Sequence, residues 1–430
     1  MHVRGGGLLR HFDGKPRNLG ASSASNPVQA NGTLSERETL MRSKILSILF
    51  FALALVACAG ASETEVADGG KPIGVHPPPV AKRPQVQLAI LLDTSGSMDG
   101  LIDQAKSQLW KIVNEFIAAK RHGQRPEVHV ALYEYGKQTL PAGENFLRCI
   151  VPFTQDLDKV SEELFALKTN GGEEYCGAVI QHAAEHLQWS AAADDLKAIF
   201  IAGNEAFGQG RVDYRSACRG AIAKGILVNT IFCGNVNEGV RTNWKDGADL
   251  ADGRYMHIDQ NRTVAAVQAP QDAELADLNQ KLNGTYVAFG RKAEAAKERQ
   301  IAQDANAAAA APEAAAQRAA TKASGLYNNA EWDLVDALRE KKVALEEVAE
   351  GELPAEMKQL DKAGREAYVE GKSKERAELQ AKILALTEAR NKHVAEEMKK
   401  RAAGGEETLD AAMIKSIREQ GQKKGFAFGE

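Results

Sequence analysis

The sequence predicts an α/β fold, a doubly wound and mostly parallel sheet, followed by an all-α carboxyl-terminal region. Three observations lead there. Residues 86–93 form a short apolar run that stops at Asp93, and Leu101, Ile102, Ala105, Leu109, Ile112, Val113, Phe116 and Ile117 then recur at spacings of three and four. That is a buried parallel strand feeding a helix. The alternation of strand-like and helix-like segments continues to about residue 258, as a doubly wound sheet requires. After about residue 265 alanine, glutamate, lysine and glutamine dominate and β-branched residues thin out.

Taken in order, 128–135 and 146–153 read as strands joined as a hairpin through 136–143. Residues 157–167 read as a helix, broken by Gly171 and Gly172, and 178–189 as another. Residues 196–202 are a buried strand, 212–224 a helix, 226–232 a strand, and 255–258 a strand after the Asp252 and Gly253 turn. In the last third, 270–282, 286–311 and 313–327 are helical. Pro270 suits a first turn, and Asn283, Gly284 and Pro312 mark the breaks. An amphipathic piece follows at 332–338, a helix start at 353, a long charged helix at 366–401 and a short one from 409. The heptad register of the long helix is too broken for a coiled coil.

The chain has 430 residues, 44% hydrophobic and 26% charged, with a formal net charge of −4. That length allows about two or three domains of ~100–200 residues. The near balance of charge supplies no basic surface for nucleic acid.

The amino end carries an address. Arg42 and Lys44 precede an apolar core at 45–56 that is too short to span a bilayer, and Leu55-Val56-Ala57-Cys58 resembles a bacterial lipobox. The expectation is a lipoprotein signal at 41–57, lipid on Cys58, and a Pro-rich extended tether over 58–85. Residues 1–40 then have no place before a signal peptide, and reflect a start codon placed too early, with Met41 the true start. Residue 59 is alanine, not aspartate. By resemblance to Gram-negative lipoproteins this points to the outer membrane or the periplasmic face.

The turn after the first strand offers Asp93, Ser95 and Ser97: one carboxylate and two hydroxyls at the carboxyl end of a strand, where open α/β sheets bind ligands. Hard oxygens suit Mg²⁺, Mn²⁺ or Ca²⁺. On this Asp-Xaa-Ser-Xaa-Ser motif, residues 86–262 resemble the von Willebrand factor A domain, and 263–430 form the helical region. The resemblance implies a binding module with a metal-ion-dependent adhesion site, in which a threonine and a second aspartate from later loops complete the ion's surroundings and a partner carboxylate closes them. This chain departs twice. Where threonine is expected stands Glu174, or Glu173 if the loop shifts by one. Where aspartate is expected stands Asn204, or Glu205. The set Asp93, Ser95, Ser97, Glu174 and Asn204 keeps the same charge of −2. A glutamate that ligates directly neutralises more of the ion, so carboxylate-dependent adhesion is expected to be weak or absent.

Other features carry less. His182, Glu185 and His186 match the His-Xaa-Xaa-Glu-His pattern of some zinc peptidases. However, the helix buries Val179, Ile180, Ala183 and Leu187, which leaves the histidines flanking that face and Glu185 towards solvent. Glu134 either pairs inside the sheet or is solvated at the strand end. Cys149, Cys176, Cys218 and Cys233 are an even number in an oxidising compartment, allowing three pairings or four buried thiols. Cys218 with Cys233 is sterically the easiest pair. The function expected is a lipid-anchored extracytoplasmic module that binds an envelope or extracellular protein and is not an enzyme. The alternatives are a structural envelope protein on a metal-free scaffold, and a zinc hydrolase.

Overall fold

The computed structural model of the protein describes residues 83–258, 267–401 and 409–429. The signal, Cys58 and most of the tether lie outside the described residues. The first part of the chain runs β1 (Gln85–Asp93), α1 (Asp99–Asn114), β2 (Glu127–Tyr135), β3 (Leu147–Thr154), α2 (Leu157–Ala166), α3 (Cys176–His186), β4 (Leu196–Gly203), α4 (Tyr214–Ala223), β5 (Leu227–Cys233), α5 (Val236–Arg241), α6 (Trp244–Asp249) and β6 (Tyr255–Ile258). The six strands order as β3-β2-β1-β4-β5-β6. Every pair is parallel except the β2–β3 hairpin.

Both faces of the sheet are covered, which explains the near-continuous apolar strands. In β1, Val86, Leu88 and Leu92 face one core with Trp110, Ile112 and Phe116 of the α1 side. Ala89 and Leu91 face the other, with Val179 and Ile180 of α3, Cys218 of α4 and Trp244 of α6.

The helical part contains α7 (Asp272–Asn283), α8 (Ala293–Ala310), α9 (Pro312–Ala323), α10 (Leu334–Arg339), α11 (Ala355–Lys358), α12 (Lys362–Arg401) and α13 (Leu409–Lys423). Among the described residues no helix is long and apolar enough to cross a membrane. Leu275, Leu282, Ala319 and Ile383 form its core, and Val287, Leu334, Val335 and Met357 a second. The expected helix over 286–311 begins later, at Ala293. Its first residues instead run beside 332–334, where Phe289 donates to the Trp332 carbonyl and Leu334 to the Val287 carbonyl. The buried carboxylate of Asp333 accepts from Val287 N–H at 2.7 Å and holds that segment extended.

The last helix does not stay with the other helices. Met413, Ile417 and Phe426 join the core of the α1 face of the sheet. Asn229 of β5 and Gln420 of α13 exchange two hydrogen bonds, at 3.1 and 2.6 Å. Lys120 and Ala427 pair through their backbones at 2.8 Å in both directions. The sheet is thus closed by residues some 160 positions beyond β6, with α7–α12 between.

Candidate metal centre

The site lies where strand order reverses. β2 and β3 extend the sheet to one side of β1, and β4, β5 and β6 to the other, so a crevice opens at the carboxyl ends of β1 and β4. Asp93 ends β1 and is fully buried. Its Oδ1 accepts from Ser95 N–H at 2.7 Å, which folds the turn back on itself. Ser95 and Ser97 bring their hydroxyls to 3.4 Å, and the Asn204 amide donates to Ser97 Oγ at 2.9 Å.

The glycine-rich loop supplies the remaining carboxylate. Asn170 N–H donates to the Thr94 carbonyl and Gln138 N–H to the Gly171 carbonyl, pinning the loop between the β1 and β2 turns. A side chain at Gly172 would collide with the Gly136 carbonyl. Gly136, at φ +82°, lies so close that a Cβ there would meet Asp93 Oδ1 at 2.7 Å and Glu174 Cγ at 2.8 Å. Glu173 is exposed and Glu174 is buried, so Glu174 is the one that turns inward. Its carboxyl hydrogen-bonds Asp93 and Ser95. Glu205 stays exposed, and its backbone carbonyl accepts from Trp244 Nε1.

The five residues therefore form one contiguous chain of contacts, Glu174–Asp93–Ser95–Ser97–Asn204. Burial raises both carboxyls, and burial with the neighbouring Asp93 pushes Glu174 up to about 9. Two acceptors at this point have no hydrogen-bond donor and are shut from water: Asp93 Oδ2 and Asn204 Oδ1. Buried acceptors without a donor are unfavourable by about 1–3 kcal/mol each. Two of them beside two hydroxyls and a second carboxylate fit a hard divalent cation.

Several supporting residues escape the sequence reading. Tyr135 lies fully buried behind Asp93; its hydroxyl donates to the Ala202 carbonyl at 2.9 Å and receives the Cys176 thiol at 3.8 Å. A Cβ at Gly203 would meet that hydroxyl and Asp93 Oδ2, so Gly203 leaves the space in which Asp93 Oδ2 stands. Glu134 takes the paired alternative: it is buried, salt-bridged to Arg148 across the hairpin, and 3.7 Å from Lys137. The glycines at 136 and 203 were the available signal for a crowded site, but nothing local marks Tyr135.

The thiols correct one expectation. Cys149, Cys176, Cys218 and Cys233 are all free. Cys218 and Cys233 belong to the cores on opposite faces of the sheet, so the pair that looked easiest along the chain is separated by the sheet itself. His182 and His186 lie on α3 with their rings stacked at 4.1 Å, and Glu185 is exposed and bonded to Gln181. Among the described residues no three His, Cys, Asp or Glu side chains are grouped to hold a metal.

A doubly wound α/β domain with an oxygen-rich site at its switch point is the class of protein this geometry defines. Residues 87–257 match the family model described as the von Willebrand factor type A domain, and that part of the chain is such a domain. Among solved structures the chain is similar to the conserved hypothetical protein BatB from Bacteroides thetaiotaomicron, at 16% identity over 40% of this chain and 90% of that one, with a TM-score of 0.31. It is also similar to the VWA domain of SpRpn10, at 15% identity over 42% and 91%, TM-score 0.32. The open form of the pilus adhesin SpaC from Lactobacillus rhamnosus GG matches at 14% identity over 42% of this chain and 28% of that one, TM-score 0.32. No curated protein matches the chain.

Proposed function

We propose that the protein is a lipid-anchored extracytoplasmic binding module whose von Willebrand A domain takes a divalent cation at Asp93, Ser95, Ser97, Glu174 and Asn204. The observation that carries this reading is the pair of buried, donorless oxygens, Asp93 Oδ2 and Asn204 Oδ1, on residues joined through the two serines. A bound cation would supply a positive centre for an oxygen of a partner protein. Glu174 stands against Asp93 and Ser95, so it would neutralise part of that charge before any partner arrives. The partner is then an envelope or extracellular protein held mainly by contacts other than a carboxylate on the ion.

Anchoring rests on the lipobox at Cys58 and on the tether that follows it. The cation is tested by calorimetry of the folded protein with Mg²⁺, Mn²⁺ and Ca²⁺ in turn. Saturable heat from at least one ion, lost in Asp93→Ala, is expected. No heat from any of the three would reject the site.

A further inference from the structure

We propose that His182 and His186 form a second, two-imidazole site for a divalent transition ion of the zinc, nickel or copper class, independent of the oxygen-rich centre. The two histidines occupy successive turns of α3, and their rings stack with centroids 4.1 Å apart and planes 17° apart. They line a cleft of about 440 Å³ with Glu144, Arg148, Cys149 and Glu185 around it.

The inner nitrogens of both rings are already used. His186 Nδ1 lies 3.1 Å from the His182 carbonyl. A carbonyl only accepts, so Nδ1 carries the proton and Nε2 keeps its lone pair. His182 Nδ1 lies 3.2 Å from the Tyr133 hydroxyl, which also hydrogen-bonds Cys149. When the phenol donates to the sulfur it accepts from His182 Nδ1, and His182 Nε2 is then the lone-pair nitrogen as well. A ligand histidine usually has its other ring N–H fixed in this way, by a carbonyl or another polar group that sets the tautomer and the ring plane. Here the helix backbone sets the tautomer of one ring and a buried phenol that of the other.

The spacing suits the ion. Nitrogens held at about 2.1 Å in a tetrahedral arrangement stand roughly 3.4 Å apart. The rings start stacked, with planes 17° apart, so binding turns both out of the stack until their in-plane Nε2 lone pairs meet at one ion. Imidazole selects zinc, nickel or copper over the hard cations favoured by the oxygen-rich centre. Among the described residues no third His, Cys, Asp or Glu joins the pair. Water in the open cleft completes the ion, so this is a binding site and not a closed structural one.

The test is a Ni²⁺ titration of the whole protein by calorimetry, with Cu²⁺ electron paramagnetic resonance as the second readout. Expected, in saturating Mg²⁺, are Ni²⁺ binding weakened at least tenfold in both His182→Gln and His186→Gln, and a two-nitrogen Cu²⁺ signature lost with either histidine. His186 is exposed, so its variant is expected to melt with the wild type, which keeps the test clear of misfolding. Ni²⁺ affinity unchanged in a folded His186→Gln, or Ni²⁺ binding by the wild type abolished in saturating Mg²⁺, would overturn the site.

Discussion

Glu174 is the residue on which the chemistry of the oxygen-rich site turns. It occupies a loop position that the family resemblance gives to an uncharged hydroxyl, and it stands in contact with Asp93 and Ser95. Replacing it with glutamine removes, at constant shape, the negative charge it would carry once a cation displaces its proton. In saturating Mg²⁺, Glu174→Gln is expected to bind acetate several-fold more tightly than the wild type, while its affinity for Mg²⁺ falls. Calorimetric titration of acetate into the loaded proteins measures this, and equal acetate affinity in both would remove Glu174 from the ion's surroundings. Much of this site was legible because Asp93, Ser95 and Ser97 sit within one turn and the glycine loop is a local signal. Glu174 was read ahead of Glu173, but the loop register that decides between them was not legible. It depends on how Gly172 packs against the Gly136 carbonyl, a contact between two loops far apart in the chain. Glu134 was ambiguous for the same reason, since its partner Arg148 comes from the next strand.

Among the elements, the informative contact is between α2 and α8–α9. Arg318 of α9 is buried, donates to Asp158 of α2 at 2.6 Å and to Asp304 of α8 at 2.5 Å, and lies 4.7 Å over the Trp110 ring of α1. Lys322 Nζ adds a 3.0 Å bond to Asp304, and the Tyr327 hydroxyl donates to Asp158 at 2.5 Å. Removing one member of a buried ion network leaves its partners charged and unpaired, which is unfavourable by about 3–5 kcal/mol. Arg318→Met is therefore expected to lower stability by roughly that amount in denaturant unfolding, and a change below about 1 kcal/mol would mean the network holds nothing together. The same network gives a pH dependence. Burial alone would raise the Asp304 carboxyl, but Lys322 and Arg318 overcome it and hold it at about 2, against an ordinary value of 3.8. On acidification the unfolded chain takes up this proton first. The stabilisation is complete above about pH 4 and is lost as pH falls through 2. Thermal melts between pH 5 and 2 should fall more steeply for the wild type than for Asp304→Asn, and parallel curves would contradict the assignment. Periodicity could find α2, α8 and α9, but a pair such as Asp158 with Arg318 leaves no trace in either helix alone.

At the scale of the whole molecule, the sheet is not finished where its strands end. The α13 helix and the segment to Ala427 return to α1, β5 and β6. The matched span of 87–257 thus omits part of the core that closes its own sheet. The composition shift after residue 265 marked the helical part but hid this return, because α13 is as polar in composition as the helices before it. Ending the chain at residue 408 is expected to expose Ile417's side of the core and to lower the melting temperature of the von Willebrand A domain. An unchanged melt would show that α13 only rests on the surface. The anchor belongs to this scale too: fatty-acid labelling in cells is expected for the wild type and absent for Cys58→Ser, and equal labelling would place the lipid elsewhere or nowhere. The central claim, a cation held by the oxygen-rich crevice, is tested most directly by anomalous diffraction from crystals grown with Mn²⁺. A manganese peak in contact with Asp93 and Asn204 is expected. A map with no peak there, while the protein is intact and manganese is abundant, would contradict it.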